Sequence, residues 1–243
     1  MTRIYAIGDI HGQRAMLENA LSRIERDGGG RVVFLGDYVD RGPDSRGVID
    51  LLAQGQSEGR DWVFLKGNHD RFFEWFIHPD GPRFDPHLLV GYHWFHPAIG
   101  GVETVASYGI TVPDRIRKTD LARQLRDVVP ESHARFLRGL QLHHAQDGLF
   151  LAHAGIRPGV PLTAQSEEDL LWIRDAFHTD TSDHGALIVH GHTPVMAPER
   201  WSNRVNLDTG AGMGRALTTA VFEGGQVFIL TPDGREPLPV RPR

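Results

Sequence analysis

The sequence predicts an α/β fold with parallel strands joined by crossover helices. Three observations predict it. Strand-like apolar runs alternate with helical patterns through the first third of the chain. Apolar runs of the same kind return in the last third, after a middle stretch of different character. Five of the runs stop at one type of sequence, a glycine beside Asp, Asn or His.

Taken in order, "RIYAIGD" (3–9) reads as a short strand, and Leu17, Ala20, Leu21 and Ile24 then fall on one helical face. "DGGG" (27–30) is a turn, "RVVFLGD" (31–37) a second strand, and "SRGVIDLLAQ" (45–54) a helix with Pro43 and Asp44 as start signals. "DWVFLKGN" (61–68) is a third strand. The middle, about 71–148, holds the aromatic segment "YHWFHP" (92–97). It also holds a helical pair in which Leu121, Leu125 and Val128 share a face and Pro130 opens the second member. It reads as an insertion or cap within a single domain spanning 1–243. Then come the strands "GLFLAHAG" (148–155) and "ALIVHGH" (186–192). Between them "SEEDLLWIRD" (166–175) opens on a capping box from Ser166 to Asp169. "RVNLDTGAG" (204–212), "ALTTAVFE" (216–223) and "QVFILT" (226–231) are closing strands, and the proline-rich tail, about 232–243, is expected to be loosely held.

Composition narrows the function. Hydrophobic residues make up 40% and charged residues 23% of the 243, the profile of an ordinary soluble globular protein. A net charge of −5 argues against a protein that coats nucleic acid. No apolar stretch is long enough to span a bilayer, and the first residues lack a signal peptide's long apolar region. A cytoplasmic protein with neither nucleic acid nor membrane as partner is expected; oligomeric state is left open. The absence of cysteine excludes disulfides and thiolate metal sites.

The five run ends gather chemistry. They are Gly8-Asp9-Ile10-His11-Gly12, Gly36-Asp37-Tyr38-Val39-Asp40-Arg41-Gly42, Gly67-Asn68-His69-Asp70, His153-Ala154-Gly155 and Gly191-His192-Thr193-Pro194. In α/β sheets ligands bind beyond the carboxyl ends of the strands, and parallel strands would put all five ends on one edge. Asp9, His11, Asp37, Asn68, His153 and His192 offer nitrogen and oxygen donors and no sulfur, a set suited to divalent Mn, Fe, Zn or Ni. A lone Asp or His after a strand is usually a turn or surface residue, so the weight lies in the repetition. Six donors exceed what one catalytic ion takes while keeping a place for water, and are about right for two ions sharing a carboxylate.

The blocks "GDIHG", "GDYVDRG", "GNHD", "HAG" and "GHTP", with "LLWIRD" and "NLDTGA", resemble the metallophosphoesterases, and more narrowly the bacterial and phage branch of the PPP-type serine/threonine protein phosphatases. The resemblance runs from residue 3 to about 230 and is weakest over 75–135. It implies a four-layer α/β/β/α sandwich of two mixed sheets carrying two metal ions, Mn foremost. It assigns Asp9 and His11 to the first ion, Asp37 to both, and Asn68, His153 and His192 to the second. It makes His69 the general acid, oriented by Asp40, and Arg41 and Arg174 the phosphate-binding arms. A carboxylate beside His69 would fix its tautomer and raise its pKa. Asp208 is read as support, His190 as support or core, His93 and His96 as packing, and His143 and His144 as surface residues ahead of a strand.

The implied activity is hydrolysis of phosphoserine and phosphothreonine in phosphorylated proteins or peptides, by a hydroxide held on the two ions. The alternative is a diadenosine tetraphosphate hydrolase. "GNHD", where the protein phosphatases commonly have "GNHE", points that way; Asp40 and the lack of an evident adenine-binding block point against it. A non-catalytic module that keeps the fold is disfavoured, because no ligand or acid position has decayed.

Overall fold

The computed structural model describes residues 3–113 and 115–242. In chain order these form β1 (Ile4–Ile7), α1 (Arg14–Arg26), β2 (Arg31–Phe34), α2 (Ser45–Ser57), β3 (Trp62–Phe64), α3 (Asn68–Ile77), α4 (Gly101–Ser107), α5 (Lys118–Val128) and α6 (Glu131–Arg138). There follow β4 (His143–Gln146), β5 (Leu149–Ala152), α7 (Glu167–Trp172), α8 (Asp175–His178), β6 (Leu187–His190), β7 (Glu199–Arg200), β8 (Arg204–Asn206), β9 (Thr219–Glu223), β10 (Gln226–Thr231) and β11 (Gly234–Pro237).

The five run ends do not share one sheet edge. A six-stranded sheet runs β11-β10-β9-β1-β2-β3 and a five-stranded sheet β4-β5-β6-β8-β7, so three of the ends belong to one sheet and two to the other. Both sheets are mixed: β1, β2 and β3 are parallel to one another, as are β5, β6 and β8, and antiparallel strands flank each set. Alternation along β1 explains the stacking. Tyr5 and Ile7 join Val32 and Phe34 against the layer of α1, α2, α3, α5 and α6. Ile4 and Ala6 face the other way, with Val33 and Leu35, onto Leu151, Val189, Val205 and Leu207 of the second sheet. On that sheet's far side Phe150 and Ile188 meet Leu170 and Phe177 from α7 and α8. The result is the four-layer α/β/β/α sandwich. Strands buried on both faces read as continuous apolar runs, as these do.

The helices start where the sequence signals. Leu17, Ala20, Leu21 and Ile24 are the buried stripe of α1. The Asp44 carboxylate accepts the Gly47 N–H at 2.8 Å to cap α2, and Ser166 accepts the Asp169 N–H at 3.1 Å to cap α7. Two local details differ from expectation. His143 and His144 stand ahead of β5, as expected, but belong to an edge strand of their own, β4. Gly234–Pro237, expected within a loose tail, pair with β10, and Arg235 anchors them on Asp27 at 2.8 Å and on Glu223.

Candidate active site

The site lies where the parallel strands of both sheets end. Asp9, His11, Asp37, His153 and His192 stand on turns that follow strands, and Asn68 opens α3 after β3. His11, Asp37, Asp40, Arg41 and His192 all have positive φ, between 46° and 72°. This left-handed region is costly for residues with a Cβ, and such strain concentrates at functional sites. The neighbouring glycines leave the room required: a side chain on Gly67 would collide with the Asp37 carboxylate, and one on Gly191 with that of Asp9.

Asp37 lies at the middle. Its Oδ2 is 3.5 Å from His11 Nε2 and its Oδ1 is 3.5 Å from His153 Nε2, so the two oxygens of one carboxylate face opposite clusters. One cluster is His11, Asp37 and His69, the other Asp37, His153 and His192; in each, the ligand atoms lie within 4.8 Å of one another. Asn68 completes the second cluster, its Oδ1 standing 3.0 Å from His153 Nε2 and 2.9 Å from His192 Nδ1. The Asp9 carboxylate accepts the His192 N–H at 3.1 Å, joining a turn of the first sheet to one of the second.

The donor chemistry fits divalent cations. His153 Nδ1 donates to the Leu35 carbonyl at 2.9 Å, so its Nε2 presents a lone pair to the oxygens of Asn68 and Asp37. Burial lowers the His153 pKa to about 4, so near neutral pH no proton relieves that arrangement. Burial, then the nearby Asp208 and Asp37, raises the Asp9 pKa well above the carboxylate range. Burial also pushes Asp37 up to about 7. Buried acids crowded together with bare imidazole nitrogens are what a cation would stabilise.

Asp40 is enclosed by donors. It accepts His69 Nδ1 at 2.6 Å, Trp94 Nε1 at 3.0 Å and Thr104 Oγ1 at 2.6 Å, and Ser45 and Thr104 also hold its backbone N–H. The carboxylate therefore fixes the tautomer of His69, as expected. The expected rise in pKa is not found. Burial, then the charge of Arg41, holds His69 well below its ordinary value, and its Nε2 accepts a hydrogen bond from Arg41 Nη2 at 3.1 Å. Arg41 Nη1 also lies 2.7 Å from His11 Nε2, so this guanidinium spans both histidines.

Arg174 does not sit within a helix. α7 ends at Trp172, the chain is extended at Ile173, and Arg174 precedes α8 as its N-cap residue, exposed, with a 3.5 Å contact to Thr193 Oγ1 and Asp37 and Asp208 within electrostatic reach. Asp70 accepts the backbone N–H groups of Gly67, Asp37 and Tyr38 at 2.8–2.9 Å, which fixes the turn that carries Asp37. Asp208 is buried and accepts the Gly210 N–H at 2.8 Å, and His190 is wholly buried beside Phe177. His93 and His96 stay at the outer rim, where His96 stacks on Tyr92.

Sequence reasoning missed Trp94 and Thr104. They come from the middle segment and reach Asp40 only through tertiary packing. Trp94→Phe is expected to lower turnover about tenfold with metal content unchanged, the usual cost of losing a partner that orients an active-site group. In an Asp40→Asn background the same change should cost much less; kinetics of the double-mutant cycle check this, and additive losses would contradict it.

The calcineurin-like phosphoesterase family model matches residues 2–209. The chain belongs to this family. It is therefore a hydrolase of the metallophosphoesterase type, and the family implies divalent metal ions. Among curated relatives, the bis(5'-nucleosyl)-tetraphosphatase PrpE (asymmetrical) of Oceanobacillus iheyensis is 27% identical over 90% of this chain and 88% of its own. The protein of that name from Anoxybacillus flavithermus is 29% identical over 87% of each chain. The one from Halalkalibacterium halodurans is 25% identical over 96% of this chain and 94% of its own. A solved structure described provisionally as a diadenosine tetraphosphatase superposes with TM-score 0.63 at 22% identity, covering 94% of this chain and 92% of that one. The cold-active protein-tyrosine phosphatase of a Shewanella psychrophile gives TM-score 0.62 at 16% identity, covering 98% and 81%. At such identities the structural likeness speaks to the fold alone.

The curated relatives overturn the expectation of a phosphatase acting on phosphoserine and phosphothreonine in phosphorylated proteins, since the names they carry are those of nucleoside tetraphosphatases. The physical reason for the error is plain in the site. Asp40 carries no weight against the dinucleotide reading, because its hydrogen bonds go to His69, Trp94 and Thr104 and none of them selects what a phosphate would be attached to. Among the described residues no helix is long and apolar enough to cross a membrane.

Proposed function

We propose that this chain hydrolyses dinucleoside polyphosphates, cutting a dinucleoside tetraphosphate asymmetrically into a nucleoside monophosphate and a nucleoside triphosphate. The observation that carries the reading is the likeness, over nine-tenths of the chain, to proteins named as asymmetrical bis(5'-nucleosyl)-tetraphosphatases. Two divalent ions, Mn foremost, would supply an activated water and stabilise charge on the phosphoryl oxygens. Asp9, His11 and Asp37 would hold one ion, and Asp37, Asn68, His153 and His192 the other. The opposed oxygens of Asp37 support its role as the shared ligand.

The chain's other groups then have distinct work. Arg41 and Arg174 grip the phosphoryl oxygens with planar, permanently charged forks. Arg41 is held ready on the nitrogens of His11 and His69, which a phosphate can replace as its partners. Asp40 keeps the His69 proton on Nδ1, so that Nε2 faces the reacting group once Arg41 turns to phosphate. Water would lose a proton to solvent as its oxygen bonds to the phosphorus at one end of the chain, the P–O bond to the next phosphate would break, and the nucleoside triphosphate would depart with that electron pair as a weakly basic anion.

The test is Mn-loaded wild-type protein with diadenosine tetraphosphate, products separated by ion exchange. Equal amounts of AMP and ATP are expected. ADP alone would overturn the asymmetric cut. Turnover of simple phosphomonoesters with none of the dinucleotide would overturn the substrate class.

A further inference from the structure

A third arginine borders the site, and its guanidinium is poorly engaged. Arg215 follows the short turn Ala211–Met213, whose Gly212 packs against the ring of His11. Its side-chain hydrogen bonds go to thioethers, Met196 Sδ at 2.9 Å and Met213 Sδ at 3.7 Å, and its buried Nε has no partner among the described residues. Thioether sulfur is a weak acceptor, and methionine is readily displaced. Both methionines are exposed, Met196 at 84% and Met213 at 60%, so the rim they form can open. Elsewhere the arginines that meet acids make full ion pairs, as Arg71 does with Asp85 at 2.7 Å and Arg31 with Asp61 at 2.8 Å.

The position gives this idle group a direction. Arg41, Arg174 and Arg215 come from three separate segments, yet all lie within electrostatic reach of Asp208, buried beside the two clusters. Arg41 bonds directly into the clusters through His11 and His69, where the reacting phosphate belongs. Among the described residues Arg215 makes no hydrogen bond into them. It stands on the rim built by residues 210–215 and by Met196, four residues beyond His192. Arg41 and Arg215 hold different partners on separate segments, and a polyphosphate chain carries anionic groups beyond the one that Arg41 takes.

We propose that Arg215 binds the phosphates beyond the cleaved linkage and so makes the site select for a polyphosphate chain; this rests on the dinucleotide reading above. The fork of Arg215 leaves the methionine sulfurs, and the phosphate oxygens take its five N–H donors. The residue is a specificity determinant and takes no part in bond breaking.

The experiment measures binding of AMP and of ATP to Mn-loaded protein by calorimetry, in wild type, Arg215→Ala and Arg215→Lys. The two probes carry the same nucleoside and differ by two phosphates. Arg215→Ala is expected to weaken ATP roughly 10- to 100-fold, the usual worth of hydrogen bonds to a charged group, and to leave AMP within about twofold. Arg215→Lys should recover part of the loss, since a point charge replaces the fork. Unchanged ATP binding, or equal weakening of both probes, overturns the proposal, the latter assigning Arg215 to structural support of Asp208. The AMP arm also reports whether the variant remains folded. If diadenosine tetraphosphate proves not to be cleaved while Arg215→Ala still separates ATP from AMP, the dinucleotide reading falls and the polyphosphate contact stands. If it is cleaved and Arg215→Ala binds ATP normally, the reverse holds.

Discussion

Asp37→Asn is expected to abolish turnover and metal retention together, while Asp40→Asn lowers turnover and leaves the metal in place. Both acids are buried, both sit in the same seven-residue turn, and both have positive φ, so a purely structural account would treat them alike. Their surroundings differ. Asp37 opposes imidazole nitrogens of two clusters at 3.5 Å on either side, and an amide in its place offers one neutral oxygen where two charged ones stood. Charge stabilisation by bound ions is worth several kcal/mol, so the loss should exceed roughly a thousandfold. Among the described residues the Asp40 side chain takes its hydrogen bonds from His69, Trp94 and Thr104. Its amide should cost about 10- to 100-fold, the range for residues that orient others. Metal analysis beside steady-state kinetics separates the two, and equal metal loss in both variants would show that the roles are wrongly divided.

His69→Asn should depend on the leaving group. General acid catalysis contributes roughly 10²–10⁴-fold where a strongly basic group departs. An alkyl phosphate leaves as an alkoxide and should suffer a loss in that range. Cleavage of a dinucleoside tetraphosphate expels a triphosphate, whose charge is already spread over phosphate oxygens, and the loss there should stay within about tenfold. At rest burial and Arg41 hold the His69 pKa down and Nε2 accepts from Arg41, so His69 can act as an acid only once Arg41 has left Nε2 for phosphate and a proton has been taken up there. Metal content should match wild type, since Asn68 is untouched. The reading is falsified if both substrates lose activity to the same extent, because His69 would then act through packing or position rather than through a proton.

The strand ends were legible because they are local: glycine beside an acid or histidine after an apolar run marks a turn with chemistry on it, and of the residues picked out this way His11, Asp37, His153 and His192 fall in the two clusters, with Asn68 bonded to His153 and His192 and Asp9 to the His192 N–H. The division into two sheets was not visible in periodicity. A strand covered on both faces reads the same whether its second neighbour layer is helix or sheet; the family resemblance supplied that. Trp94 and Thr104 left no pattern, since their partner Asp40 lies 54 and 64 residues away in sequence. "LLWIRD" is helical in composition, yet the chain turns extended at Ile173 and leaves Arg174 between α7 and α8. Substrate class was hidden for a deeper reason. The blocks that carry the family resemblance converge on the two clusters, and none of them is specific to what a phosphate would be attached to.

The placement of the donors across two sheets has a mechanical consequence. Asp9, His11, Asp37 and Asn68 follow strands of one sheet, and His153 and His192 follow strands of the other. Between the sheets lies an apolar layer, which adheres without direction. Ions gripped from both sides would act as a clasp at the open end of this seam, fixing the spacing that the greasy layer alone leaves adjustable. An ion bound by the folded chain and not by the unfolded one adds about 2.7 kcal/mol at a hundredfold excess over its dissociation constant, a sizeable share of a domain's stability. Metal supply would then govern the lifetime of the fold as well as the rate of the reaction.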